Sequence, residues 1–324
     1  MKVVALYPIG NNEYDYLKLS LQSIENVVDE IVVLIDYPFR DSKKKSLIKL
    51  LNDFDAKIYF QDKNKIRKST VDRDFLFHLG RMHGGTHFVC IDCDEILSNS
   101  FAQQSNKIFK EMKIGEKIMM RWLSAWSNPF LFRTDKKSIW SNMWKDFIVC
   151  DDLKQSYNSD SGYHEPRTIC KNDKLKYLNI NNGCVIHLQF IDRESFKLKQ
   201  IYYSIHDYLN KKVNISEINR KYLYSFIDNF PKLSKLPNNC VNHLNPNDLN
   251  NVINLNYSFF WKKKILRILN KIDIKKIQNL NIWNNEFTKL VYKKKTNMLP
   301  RISVFEILKL FLFYVKSSIL IIIK

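Results

Sequence analysis

The stretch THFVCIDCDEILS, residues 86–98, contains a short apolar run that ends abruptly in acidic side chains. The apolar residues 88–91 predict a strand that is buried on both faces of a sheet. Asp92, Asp94 and Glu95 follow directly, and three carboxylates cannot be buried without partners. The chain is therefore expected to surface at the carboxyl end of this strand, which is where open α/β sheets bind ligands.

Asp92 and Asp94 are the candidate ligands of a divalent metal ion. Carboxylates are hard oxygen ligands, and they suit Mg²⁺ or Mn²⁺ ions that carry phosphorylated substrates. The Asp-x-Asp spacing alone is weak support, because two solvated carboxylates after a strand are the commoner origin of such a pair. The residues that precede the pair favour its interpretation as an anchor for a metal ion and a diphosphate.

Strands and helices are predicted to alternate through the first 90 residues. Strands are expected at 2–7, 30–36, 56–61 and 88–91, with helices between them that include one at 69–82. Such alternation requires right-handed crossovers and a parallel sheet, so the predicted fold class is α/β. Polar or acidic residues at 11–13, 36 and 92–95 would meet at one sheet edge, where a nucleotide site is expected.

Composition and motifs narrow the class of partner. The 324-residue chain has a formal net charge of +19, and residues 257–301 hold twelve Lys or Arg against Asp273 and Glu286. This basic region suggests an anionic partner; no nucleic-acid recognition motif occurs, so a membrane surface ranks first. No Gly-x-Gly-x-x-Gly or Walker lysine loop follows the first strand, which disfavours dinucleotide-binding and P-loop proteins.

The C-terminal region, 257–324, is predicted to adhere to an anionic membrane surface. Residues 262–280 are expected to form a basic amphipathic helix, either at a lipid interface or packed on the protein. The apolar stretch 302–323 contains one Glu and two Lys, which favours an in-plane anchor over a membrane-spanning helix. The N-terminus shows no signal peptide, so the predicted location is cytoplasmic and peripheral to the membrane.

Three segments carry a recognisable pattern. They are residues 3–23 (VVALYPIGNNEYDYLKLSLQS), residues 30–42 (EIVVLIDYPFRDS) and residues 73–95 (RDFLFHLGRMHGGTHFVCIDCDE). Together they resemble the GT-A glycosyltransferases of the family-2 type. The resemblance implies a GT-A fold, a Rossmann-like and mostly parallel central sheet with flanking helices. It makes residues 1–212 the nucleotide-sugar and acceptor domain and residues 213–256 a helical linker before the membrane-associated helices.

The resemblance also implies an activity and a set of site residues. The activity is transfer of a sugar from a nucleoside diphosphate, with a UDP-sugar as first candidate, to a hydroxyl of a glycan or glycolipid, with inversion. The implied cofactor is Mn²⁺ or Mg²⁺. The implied donor-binding residues are Pro8, Asn12, Glu13, Asp36, Arg73 and Asp92, and the implied metal ligands are Asp92 and Asp94, with His187 as a further candidate.

Glu165, in the irregular loop 161–167, is the candidate catalytic base that the resemblance implies, and Asp152 is a competing source. An inverting transferase needs a carboxylate within hydrogen-bond reach of the acceptor hydroxyl, whose proton it takes. Trp122, Trp126, Trp140 and Trp144 crowd within 23 residues, and their rings are either sugar platforms or ordinary core anchors.

Structural roles stay open for several of these residues. Glu13 could be a first-turn helix acid, Asp36 a turn or capping acid, Arg73 an exposed helix charge and His187 a core histidine. Two other classes of function stay open as well. One is a catalytically silent GT-A-like protein that binds glycan or serves as a membrane scaffold, and the other is a sugar nucleotidyltransferase.

Overall fold

The computed structural model describes the chain in segments. The described residues are 1–10, 16–35, 41–61, 69–135, 139–153, 167–168, 174–211, 214–219, 222, 231–237, 240–255, 258–282, 287 and 290–291. Four predicted site residues lie outside these segments, namely Asn12, Glu13, Asp36 and Glu165. The apolar stretch 302–323 lies outside them too.

The described segments contain both strands and helices. The strands are β1 (Val3–Ile9), β2 (Glu30–Ile35), β3 (Lys57–Phe60), β4 (His87–Cys90), β5 (Glu95–Leu97), β6 (Lys117–Ser124), β7 (Leu131–Arg133), β8 (Met143–Cys150), β9 (Leu175–Tyr177), β10 (Cys184–His187) and β11 (Leu233–Lys235). The helices are α1 (Leu17–Ile24), α2 (Asp41–Asp53), α3 (Ser69–Met82), α4 (Asn99–Ala102), α5 (Ser105–Glu111), α6 (Arg193–Lys211), α7 (Pro246–Asn251) and α8 (Ser258–Leu269).

Most of the strands form one mostly parallel sheet. Its order is β3-β2-β1-β4-β8-β6-β10-β5, and β9 also pairs with β6, while β7 and β11 form a separate pair. The pairings within β3-β2-β1-β4 are all parallel, as are those of β6 with β9 and β10. The strand β8 is antiparallel to both β4 and β6, and β5 is antiparallel to β10. The predicted α/β fold class, with a Rossmann-like central sheet flanked by helices, is confirmed.

The strand order reverses direction beside β1. The chain moves outward from β1 to β2 and β3, and then returns to place β4 on the other side of β1. The carboxyl ends of β1 and β4 therefore flank a topological switch point, the usual ligand position in open α/β sheets. The register pairs Leu6 with Cys90, so that Pro8 and Asp92 lie level with each other just beyond the last paired residues.

The first strand runs further than the sequence predicts. It continues through Pro8 to Ile9, because these residues stay paired with β2. The carbonyl of Leu6 accepts the N–H of Ile91 at 3.4 Å, so the nitrogen of Pro8, two residues later, also faces β4. The ladder between β1 and β4 has ended by then, and the proline removes no sheet hydrogen bond.

The two faces of β1 pack into two separate clusters. Odd-numbered residues such as Ala5 pack with Leu21 of α1, whereas Leu6 packs with α3 and with Phe88 of β4. The alternation follows from strand geometry, and burial of both faces is typical of a parallel sheet. A Cβ added to Gly85 would lie 2.5 Å from the Phe88 ring, so the close approach here requires glycine.

The chain divides into two compact units. The first comprises Met1–Phe132, Asn142–Ile191 and Ser234–Asn254, and the second comprises Arg133–Ser141, Asp192–Leu233 and Leu255–Lys324. This division differs from the three consecutive segments that the sequence suggests. The reason is that α6 packs against α8 in the second unit, so residues 192–211 belong with the C-terminal region.

The apolar face of α8 is buried inside the second unit. Trp261, Ile265 and Leu269 share one core with Ile201 and Ile205 of α6. This is the face that a lipid interface would need, so α8 corresponds to the alternative of a helix packed on the protein. None of the helices in the described segments combines the length and apolar character needed to span a bilayer. Membrane contact by residues 257–324 stays a prediction.

Replacing Phe88 by Ala should lower the free energy of unfolding by about 3–5 kcal/mol, the usual cost of truncating a buried Phe. Phe88 is fully buried and meets the ring of Phe77 edge-on, with ring centroids 5.1 Å apart. The matched control is Phe75→Ala in α3, where 43% of the residue is exposed and about 1 kcal/mol or less is expected. Urea unfolding measures both, and equal losses would contradict this packing.

Candidate active site

The acidic residues follow the carboxyl end of β4, as the sequence predicts, but Asp94 and Glu95 are buried there rather than at the surface, because other side chains pair with them. Asp92 follows the carboxyl end of β4 by two residues, and Glu95 begins β5. The backbone carbonyl of Asp92 accepts a hydrogen bond from Ser20 of α1 at 3.3 Å, and Ser20 is bonded to the hydroxyl of Tyr7 at 2.8 Å. The strand end is thus tied to both β1 and α1.

Asp92 is held between two arginines. Nη2 of Arg73 donates to one carboxylate oxygen at 2.9 Å, and Nη1 of Arg167 lies 2.5 Å from the other. Burial by itself would raise the pKa of Asp92, but the two guanidinium groups outweigh that effect and hold it well below its usual range. The Asp92 side chain is 27% exposed, so this ion pair can be reached from solvent.

Arg167 is fixed by its backbone and by its side chain. Its N–H donates to a carboxylate oxygen of Asp146 in β8 at 3.1 Å, and the N–H of Thr168 donates to the other oxygen at 3.1 Å. The guanidinium lies over the rings of Phe147 (5.2 Å) and Trp122 (5.6 Å). Burial would lower the pKa of Arg167, but Asp92 and Glu95 raise it, so the group stays charged.

Glu95 is the deepest acid of the cluster, with no exposed side-chain surface. It accepts a hydrogen bond from the guanidinium of Arg167 and another from the backbone N–H of Asp92 at 2.8 Å. Burial raises the pKa of Glu95 to about 8, with Asp92 and Asp94 adding to the effect and Arg167 opposing it. The buried guanidinium is therefore shared between two carboxylates of different depth.

Asp94 pairs with His187, as their assignment to one site requires. The Nε2 atom of His187 lies 3.2 Å from a carboxylate oxygen of Asp94, and both side chains are buried. The imidazole also stacks on Trp122, with ring centroids 4.1 Å apart. The N–H of Leu188 donates to the Asp94 carbonyl at 2.8 Å, which joins the end of β10 to the acidic turn.

This arrangement does not fit a divalent ion as it stands. Guanidinium nitrogens lie against both oxygens of Asp92, and one oxygen of Asp94 faces His187. Among the described residues, no three His, Cys, Asp or Glu side chains are grouped so that they could hold a metal. The assignment of Asp92, Asp94 and His187 as metal ligands stays a prediction, and the arginines supply the positive charge in this structure.

The structure does not bring Asp152 to Asp92. Because β8 runs antiparallel to β4 and pairs Cys150 with His87, Asp152 lies beyond the amino end of β4. Five residues of extended strand separate that end from Asp92, a distance of about 17 Å. Glu165, the other candidate base, lies outside the described segments.

Three of the four tryptophans are core residues. Trp122 is buried against His187, Trp126 stacks on Phe190 with centroids 5.2 Å apart, and Trp140 is buried. Trp144 is partly exposed and meets Tyr177 edge-on. The Arg121 guanidinium also lies over the Trp144 ring, 5.5 Å from its centroid.

The sequence-based prediction missed the role of Arg167. Its signal was present, because three carboxylates in four residues at a buried strand end need compensating charge. From the sequence alone, a metal ion and an arginine are equally able to supply that positive charge. Arg167 lies 72 residues after Glu95 in the sequence, and no periodicity indicates that the two are neighbours.

No protein-family model matches the chain, and no curated protein matches it. Solved structures give matches of low similarity. A mycobacterial protein is 16% identical with a TM-score of 0.28, over 38% of this chain and 41% of that chain. Glucosyl-3-phosphoglycerate synthase from Mycobacterium tuberculosis, in complex with Mn²⁺ and uridine-diphosphate-glucose, is 16% identical with a TM-score of 0.26, over 38% and 44%.

HddC from Yersinia pseudotuberculosis is 13% identical with a TM-score of 0.26, over 78% of this chain and 98% of that chain. The matches to the mycobacterial protein and to the synthase span less than half the length of those chains. Similarity at this level identifies no activity.

Replacing Arg167 by Ala should destabilise the protein by about 3–5 kcal/mol, because it leaves buried carboxylates without their cation. A double variant, Arg167→Leu with Glu95→Leu, should recover at least half of the loss, since it removes the buried pair together. Arg121→Ala is the control, because that guanidinium bonds Asn142 in an exposed contact. Thermal and urea unfolding measure all three; a double variant no better than the single one would contradict this assignment.

Proposed function

We propose that the chain is a glycosyltransferase that takes its sugar from a nucleoside diphosphate, with a UDP-sugar as the first donor to test. The acceptor is a hydroxyl of a glycan or glycolipid. The observation that carries the proposal is the charged cluster of Asp92, Arg73 and Arg167 at the switch point of a mostly parallel sheet. A diphosphate needs cationic donors, and this is where such sheets bind nucleotides.

The proposed donor site follows the edge formed by the carboxyl ends of β1 and β4. Pro8 lies there, level with Asp92, and Arg73 reaches the same point from α3. Asn12 and Glu13 follow β1 in sequence, and Asp36 follows β2, the neighbouring parallel strand. We assign these three residues to the nucleoside, because the ends of parallel strands meet at one edge.

Glu165 is the proposed base. It precedes Arg167 by two residues, so their α-carbons are at most about 7 Å apart, and the Arg167 side chain contacts Asp92. A carboxylate here would take the proton of the acceptor hydroxyl as that oxygen attacks the anomeric carbon. The bond to the diphosphate breaks on the opposite side, which inverts the anomeric centre.

Two alternatives have less support. A sugar nucleotidyltransferase requires a Gly-rich loop with Arg and Lys directly after the first strand. Residues 8–13 are PIGNNE, which contains neither Arg nor Lys. A catalytically silent glycan-binding or membrane scaffold needs Arg167 only as the counter-ion of the buried acids, and it binds no nucleotide. Nucleotide binding separates the scaffold from the transferase.

The test is a screen of nucleotide sugars for release of nucleoside diphosphate by the purified 324-residue chain. Glu165→Gln should lower turnover by about 10²–10⁴-fold, the usual contribution of a general base, with little change in KM for the donor. Glu25→Gln, an exposed acid at the end of α1, is the matched control.

Asp152→Asn is the informative comparison. Because Asp152 lies near the amino end of β4, its amide variant should stay active to within about threefold. Loss of activity in Asp152→Asn, together with an active Glu165→Gln, would reverse the assignment of the base. A wild-type chain that cleaves no nucleotide sugar and binds no nucleotide would refute the transferase itself.

A further inference from the structure

The cation that faces Asp92 in this structure is guanidinium. Each of the two carboxylate oxygens has its own arginine, Arg73 at 2.9 Å and Arg167 at 2.5 Å. Arg73 lies in α3, before Asp92 in sequence, and Arg167 lies after it, between β8 and β9. Asp92 is thereby occupied by protein cations at the position where the sequence pattern predicts a metal ion.

Arg167 is built into this position. Asp146 holds the backbone on both sides of its peptide, through the N–H groups of Arg167 and Thr168 and the Thr168 hydroxyl at 2.5 Å. The Arg167 guanidinium donates a hydrogen bond to the buried Glu95, and it also lies over the ring of Trp122. A side chain restrained at the backbone, at the guanidinium and on its flat face costs little further entropy when it binds a ligand.

The chemistry of these groups matches a diphosphate. Arginine presents a planar array of N–H donors that binds phosphate oxygens in pairs, and it keeps its charge at all relevant pH values. Asp92 is the partly exposed acid of the cluster, while Glu95 and Asp94 are buried. An incoming diphosphate can therefore replace the Asp92 carboxylate as the partner of the arginines without disturbing the acids beneath.

We propose that Arg73 and Arg167, in place of a divalent ion on Asp92 and Asp94, neutralise the diphosphate of the donor. This inference rests on the proposed function, and it identifies the groups that supply positive charge to the donor site. Asp92 holds the two guanidinium groups in place in the free protein and yields them to the nucleotide. The step is an exchange of anions, with no covalent bond made or broken.

Isothermal titration with UDP, GDP and ADP tests the proposal, each in EDTA and in MnCl₂. We expect one nucleotide to bind in EDTA with an affinity within about threefold of that in Mn²⁺. Arg73→Gln should weaken its binding by about tenfold or more, through loss of a charge-assisted contact. Arg121→Gln, on β6, is the matched control and should bind as the wild type does.

Asp92→Asn distinguishes the two sources of charge. If the arginines bind the diphosphate, this variant removes a competing anion and should bind the nucleotide as tightly as the wild type or more tightly. If a metal ion binds it, the variant loses a ligand and should lose affinity. Circular dichroism checks that each variant is folded. If Arg73→Gln does not fold, Arg73→Lys replaces it, because lysine keeps the charge and loses the planar array of donors.

Binding that needs Mn²⁺, or that Asp92→Asn abolishes in a folded protein, would overturn the arginine proposal and leave the transferase in place. An Arg73→Gln variant that is folded and binds normally would overturn it as well. Failure of all three nucleotides under both conditions would instead remove the transferase, together with everything that rests on it.

Discussion

Three carboxylates within four residues at the end of a buried strand set the constraint that the first unit must satisfy. Asp94 and Glu95 are almost completely withdrawn from solvent, and an uncompensated buried charge costs several kcal/mol. The partners of these acids come from far along the chain: Arg167 brings a positive charge to Glu95, and His187 lies within hydrogen-bond distance of Asp94. The described residues 167–168 and the strand that carries His187 must therefore be in place for the turn after β4 to be stable.

The sheet topology explains how these distant groups meet. The antiparallel strand β8 lies between β4 and β6, and its residue Asp146 anchors the segment that carries Arg167. On the far side of β6, the parallel strand β10 ends at His187, opposite Glu95 in β5. The parallel half of the sheet thus supplies the edge that is proposed to bind the donor, and the mixed half supplies the groups that pair with the acids there.

What the sequence predicts well is local. Periodicity places α3 at its observed ends and indicates the four strands that become β1 to β4. The extension of β1 through Pro8 depends on which neighbour its nitrogen faces, and the burial of the apolar face of α8 depends on α6. Both are decided by packing between distant segments, and so is the identity of the cation at Asp92.

In the proposed donor site, the Asp92 carboxylate is an internal anion that holds the two arginines before any ligand binds. Two guanidinium groups brought together on an empty site would repel each other and would be hydrated in several arrangements. Asp92 removes both costs, because its two oxygens hold Arg73 and Arg167 at a fixed spacing. Asp92 therefore stabilises the free protein with both guanidinium groups at the site. A diphosphate that binds there, as proposed, must displace the Asp92 carboxylate from the two arginines.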